Sequence, residues 1–147
     1  MKAVVECIKG TREKYELAED GKSIILNRML DRKWVESYGY IENTLQGDGD
    51  ELDTYIIGRR LVRGEKVEVL PICIVYCLDN YQIDNKLICA SRTARGNIKA
   101  RVRKILRFIN KYKKGSYALY NSYKDINIRY ELARCKALRK LFKGGNK

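Results

Sequence analysis

The chain contains no histidine, which argues against a zinc site. Its five cysteines, at 7, 73, 77, 89 and 135, are odd in number and none falls in a CxxC pair. Free thiols in a reducing compartment are therefore expected rather than a disulfide framework. No run of about 18 apolar residues is present, so no membrane-spanning helix is expected. The opening "MKAVVECIKG" carries a charge within its short apolar run, unlike a signal peptide. No internal repeat or low-complexity segment is found. Acids are almost missing from residues 92–147, where only Asp125 and Glu131 stand against 18 Lys and Arg, a net +16. Residues 1–91 hold 13 Lys and Arg and 16 acids, a net −3, and the whole chain is +13. A segment that basic points to an anionic partner.

What is present is enough for one core. Hydrophobic residues make up 45% of 147 positions, and a single domain over 1–147 is expected. Residues 1–91 read as short strands: 3–8, 14–18, 23–27, 53–58, 66–78 and 86–90, separated by turn-like stretches such as "EDGK". So many short strands predict a small barrel or sandwich. From about residue 95 the period changes. Ile98, Val102, Ile105, Ile109 and Tyr112 form one helical stripe, and Lys99, Arg103, Arg107, Lys111 and Lys114 lie on the opposite face. A second helix is predicted over 125–142, with Tyr130, Ala133, Ala137 and Leu141 aligned and Arg129, Arg134, Lys136, Arg139 and Lys140 turned outward.

The densest charge is "GDGDELD", residues 47–53, with Asp48, Asp50, Glu51 and Asp53 in close succession. Like charges at this density repel unless they are solvated or offset by a cation. An EF-hand fails, because the third ligand position would be Leu52. A second acidic loop, "LDNYQIDNK" (78–86), adds Asp79 and Asp84, and Glu6 lies on the first strand. Oxygen ligands from several strand ends suit Mg²⁺. Lys14, Arg28 and Lys86 lie in the same strand-rich part. Carboxylates for metals together with cations for phosphate make a phosphoryl-transfer site.

These residues resemble the family I soluble inorganic pyrophosphatases. "DGDELD" matches the three aspartates of D-x-D-P-x-D. "YGYIENTLQ" resembles the run before it, "VVECIKGTREKYE" the opening segment, "LDNYQIDNK" the second acidic loop and "INKYKK" the helical H-Y-K. The five motifs keep their order over residues 3–113. The resemblance implies an α+β, mainly β fold: a five-stranded OB-like barrel with two C-terminal helices. It implies that Asp48, Asp53 and Asp84 hold the Mg²⁺ ions that activate water, that Asp79 helps Asp84 with a further one, and that Glu6 reaches another through water. Asp50 would accept the proton of the attacking water. Lys14, Arg28, Tyr38, Lys86, Tyr112 and Lys113 would grip the phosphates, with Glu16 behind them. The implied protein is a cytoplasmic, homo-oligomeric enzyme that hydrolyses pyrophosphate.

There are departures from the pattern. Glu51 replaces the proline, Asn80 replaces a glutamate, Trp34 stands where a tyrosine hydroxyl is usual, and the stretch after Arg28 is two residues short. Two rivals remain at this stage. One is a basic OB-like module that binds nucleic acid, since small barrels of this kind bind single strands; apart from that rival, the basic helices of the enzyme itself are expected to bind nucleic acid or another polyanion weakly. The other is a pseudoenzyme kept for binding, although Asp48, Asp53 and Asp84 are all retained.

Overall fold

A computed structural model of the chain describes residues 1–46, 49–79, 82–112, 117–120 and 126–143. The strands are β1 (Lys2–Cys7), β2 (Glu13–Leu17), β3 (Ile24–Met29), β4 (Ser37–Ile41), β5 (Asp53–Ile57), β6 (Lys66–Tyr76), β7 (Leu78–Asp79), β8 (Gln82–Ile83), β9 (Lys86–Ser91) and β10 (Tyr117–Tyr120). The helices are α1 (Ile98–Tyr112) and α2 (Ile126–Lys143). Hydrogen bonding runs β1–β4–β5–β9–β6 and returns from β6 to β1, which closes a five-stranded barrel. Only β5–β9 is parallel. β10 adds to the outside of β6, and β2–β3 is a separate hairpin.

The closing strand is β6, eleven residues long. Its start pairs with β1 and its middle with β9. Between Pro71 and Cys73 its register slips. Proline has no N–H for the ladder, so a bulge there is where it is tolerated, and a bulge bends the strand toward closure. β1 and β4 approach closely at Gly39, where a Cβ would fall 1.8 Å from the Val4 carbonyl oxygen. Only glycine fits there. β4, "SYGYI", is not among the strands that the sequence predicts, because it has no apolar run; it nevertheless supplies the fifth barrel stave, buried apart from Tyr40.

Strand alternation sorts the core into two clusters. Val5, Ile56, Ile74, Leu87 and Cys89 pack with Ile128 and Cys135 of α2. Tyr55, Ile57, Cys73, Val75 and Ile88 face the other way and pack beneath Val102, Ile105, Phe108 and Ile109 of α1. The α1 stripe is as expected from the sequence, and Asn97 caps its start by accepting from the Ala100 N–H. Arg101 leaves the basic face to bind buried Glu36 through both oxygens, at 2.6 and 2.8 Å. All five cysteines are buried and none forms a disulfide. Burial pushes the thiols of Cys7, Cys73 and Cys89 up to about 12.

The face expected for α2 is wrong. Tyr130 and Leu141 are 69% and 75% exposed, and Ala133 and Ala137 are exposed with them. The buried side is Ile128, Glu131 and Cys135. Hydrophobic periodicity chose the solvent face because the inward face is partly polar. For the same reason Arg134 and Arg139 turn inward to carboxylates, whereas Arg129, Lys136 and Lys140 are exposed.

Candidate active site

The sheet brings distant residues together. Parallel pairing of β5 with β9 sets Asp53 opposite Lys86, and β4 sets Tyr40 opposite Asp53. The buried Lys86 ammonium meets Asp53 at 2.8 Å, Asp84 at 3.3 Å and the Tyr38 hydroxyl at 2.9 Å. Burial alone would lower the Lys86 pKa. Asp53 and Asp84 outweigh it and hold the amine above the ordinary lysine value, fully protonated. Burial, then Asp53, push the Tyr38 phenol well above its usual range, so it remains a neutral hydroxyl. The Tyr38 ring stacks on Trp34 at 4.9 Å, and the Trp34 indole N–H donates to the Glu13 carbonyl. The ring that replaces a tyrosine hydroxyl thus fixes the Tyr38 side chain and the hairpin.

Glu6 sits where the β1–β4 register slips, between Val5 and Cys7. Bulges of this kind redirect side chains beside active sites. Its Oε2 accepts from the Leu17 N–H at 2.7 Å. Burial, then Asp53, then Glu51 and Glu16 raise its carboxyl to about 8, more than the Leu17 bond lowers it. The Gln46 N–H donates to the Asp50 carbonyl at 2.7 Å, and Gly49 has the positive φ of 90° that suits glycine. Asp50 is exposed. It lines a cleft of about 910 Å³ with Glu51, Tyr40, Lys22, Lys66 and Arg139.

Lys14 and Arg28 are cross-strand partners on the β2–β3 hairpin. Among the described residues, no hydrogen bond or ion pair joins either to the Lys86 cluster. Glu16 is exposed on β2 and acts on Glu6 through space. Asp48 and Lys113 lie outside the described residues, as do the side chains of Asp79 and Tyr112. Among the described residues no three acids converge into a ready metal cage. The donor set nevertheless fits a hard divalent cation. It consists of carboxylate oxygens, and Glu6, raised first by burial and then by Asp53, Glu51 and Glu16, is a carboxyl whose charged form such a cation would favour.

Several residues escaped the sequence reading. Glu131, Gln46 and Asn85 form a buried polar group beside the acidic stretches, joined by the partly exposed Arg134 that was expected on the outward face. Arg139 meets Glu51, the residue in the proline position, at 3.5 Å. The available signal was that Glu131 is one of only two acids in the basic segment.

The family model described as inorganic pyrophosphatase matches residues 3–140. The chain is 34% identical over 89 residues to the inorganic pyrophosphatase of Picrophilus torridus, covering 58% of this chain and 50% of that protein. It is 37% identical over 91 residues to that of Nanoarchaeum equitans, covering 58% and 54%. The chain thus spans about half the length of the curated relatives it matches. Among solved structures, the inorganic pyrophosphatase of Thermus thermophilus superposes with a TM-score of 0.75 at 25% identity, covering 95% of this chain and 91% of that one. The Neisseria gonorrhoeae inorganic pyrophosphatase gives 0.79 at 20% identity with the same coverages, a likeness of fold.

Proposed function

Because the chain belongs to the inorganic pyrophosphatase family, we propose that it hydrolyses inorganic pyrophosphate to two phosphates with Mg²⁺ as cofactor, in the cytoplasm and as a homo-oligomer. The observation that carries this reading is the Tyr38–Asp53–Asp84–Lys86 cluster, where carboxylates and a permanently charged amine share one buried point. Asp48, Asp53 and Asp84, with Asp79 and Glu6, would hold the cations. When bound, Mg²⁺ supplies charge neutralisation at the phosphates and lowers the pKa of a water.

The chain's own residues do the rest. Lys86 exchanges its carboxylate partners for phosphate oxygens and, being always protonated, offsets charge as the leaving phosphate departs. Tyr38, kept neutral, donates its hydroxyl to the substrate. Lys14 and Arg28 reach the phosphates from the hairpin, Glu16 supports them from β2, and Tyr112 and Lys113 are the remaining phosphate-binding residues. Asp50, at the solvent edge of the turn, takes the proton released by the attacking water. The test is phosphate release from pyrophosphate with Mg²⁺ against an EDTA control. Turnover should require the metal, and Asp50→Asn should lose roughly 10²–10⁴-fold in rate. Wild-type turnover in that variant would remove Asp50 from its role.

A second interaction is favoured by one observation. Arg32, Lys33, Lys104, Arg107 and Lys111 line a groove of about 760 Å³ over Phe108. Among the described residues, none of these five cations takes part in an ion pair. Their charge suits weak, sequence-independent binding of nucleic acid or another polyanion. Such binding would collapse between about 50 and 200 mM salt.

A further inference from the structure

The inward face of α2 is polar only where it meets the two acidic loops. Glu131 is 4% exposed. Its Oε2 accepts from Asn85 Nδ2 at 2.9 Å and from Gln46 Nε2 at 3.4 Å. Arg134, one turn along, binds Glu131 Oε1 at 2.9 Å and Oε2 at 3.0 Å, and Gln46 Oε1 at 2.7 Å. Gln46 and Asn85 are also joined directly, Nε2 to the Asn85 carbonyl at 2.6 Å. The main chain follows suit: Leu45 N–H donates to the Cys135 carbonyl, and Cys77 N–H to Asn85 Oδ1.

The positions of these groups matter. Gln46 immediately precedes the first acidic stretch in the sequence, and its N–H donates to the Asp50 carbonyl. Asn85 lies between Asp84 and Lys86. One helix therefore grips the base of both loops through a single buried carboxylate. Apolar side chains of similar volume would give the packing alone at no desolvation cost, and a buried ionic group is often neutral or worse for stability. What it adds is direction, because a fully satisfied polar network allows one arrangement of its members.

We propose that Glu131 is a positioning residue: with Arg134 it fixes Gln46, which holds the Asp50 carbonyl, relative to Asn85, which stands between Asp84 and Lys86, and so sets the affinity of the site for its divalent cation. The inference rests on the function proposed above for its role in turnover, but not for its effect on metal binding. Residues that orient ligands of a metal typically change affinity or activity by 10–100-fold when altered.

The test measures Mg²⁺ binding without substrate, by calorimetry, on the wild type, Glu131→Gln and Asn85→Ala, alongside thermal melting in EDTA. Glu131→Gln should weaken Mg²⁺ binding by about 10–100-fold. Its kcat should recover toward wild type as Mg²⁺ is raised, with the loss confined to metal dependence. Asn85→Ala, which cuts one of the two loops from the helix, should weaken binding in the same direction. Should Glu131→Gln fail to fold, Arg134→Gln replaces it, since Arg134 is partly exposed and leaves the buried carboxylate its two amide donors. Folded variants with lowered melting temperature but wild-type Mg²⁺ affinity would reduce the network to a stabilising one and overturn the proposal, as would a wild type that binds no Mg²⁺. Weakened metal binding in a protein that does not hydrolyse pyrophosphate would leave the positioning role standing and remove the proposed reaction.

Discussion

The acids around the barrel and the bases on α1 are handled in opposite ways. Glu6, Glu36, Asp84 and Glu131 are buried, and each meets a particular donor: Leu17, Arg101, Lys86 and Asn85. Lys99, Arg103, Lys104, Arg107 and Lys111 are exposed. Among the described residues, the last four of these take part in no ion pair. A buried charge needs a partner at a fixed place, whereas a solvated one needs nothing in particular. Position-specific information therefore lies with the acids, and the bases act as a field whose members add up. Arg101 is the exception that marks the boundary, since this base of α1 is drawn inward, to Glu36.

The contrast breaks most severely at Lys86. Lys86→Ala leaves Asp53 and Asp84 facing one another without their shared cation, and removing one partner of a buried pair costs about 3–5 kcal/mol. Urea unfolding in EDTA should show that loss, phosphate release should vanish, and added Mg²⁺ should restore part of the stability. Unchanged unfolding would mean that the two carboxylates do not depend on Lys86.

Glu6 gives the next largest effect. Its carboxyl titrates near 8 in the folded chain against an ordinary 4.5. The folded state thus holds the proton more tightly, so stability is fully present below pH 4.5 and is lost as pH rises through about 8. In EDTA the wild type should lose a few kcal/mol over that range, at ~1.4 kcal/mol per pKa unit. Glu6→Gln should flatten the curve, and Mg²⁺ should flatten it in the wild type. Parallel pH profiles for the two proteins would rule out Glu6 as the source.

Asn80→Glu sharpens the comparison by adding an acid where the family pattern has one. The activity curve should move to lower Mg²⁺, read from a metal titration at fixed pyrophosphate. An unmoved curve would mean that this position does not tune metal binding. The smallest effect belongs to the basic field. Changing Lys99, Arg103, Arg107 and Lys111 together to Gln should leave hydrolysis unaltered. It should abolish DNA binding at about 50 mM salt, where each neutralised phosphate adds about −0.9 to the log–log salt slope. Equal binding by wild type and variant would place the contact elsewhere.

The legible parts of the molecule are those where side-chain period and burial agree. α1 is one case: Val102, Ile105 and Ile109 are buried as their spacing implies. β1, β5 and β9 are legible for another reason, as short apolar runs, although both of their faces are buried. β4 reads "SYGYI", with no apolar run to mark it, and β10 lies within "KGSYALYNSY", which reads as a linker between the helices. α2 misleads because Glu131 and Arg134 occupy the inward face. At the site, Asp53, Asp84, Lys86 and Tyr38 were legible as motif residues. Their meeting was not, because it depends on the parallel β5–β9 register, which is a long-range pairing. The partnership of Glu131 with Gln46 and Asn85 spans 85 and 46 residues and leaves no local trace.

The buried cysteines have a use as clocks. A thiol shut away from solvent does not meet an alkylating agent until its surroundings open, so the labelling rate of each cysteine reports a local opening event. Cys135 rides on α2, while Cys73 and Cys89 sit on barrel strands β6 and β9. If the helix lifts before the barrel breathes, Cys135 will be modified first, by mass spectrometry of partially labelled protein. Adding Mg²⁺ would then slow that one residue selectively, turning a set of inert side chains into a readout of how firmly the C-terminal helix is latched.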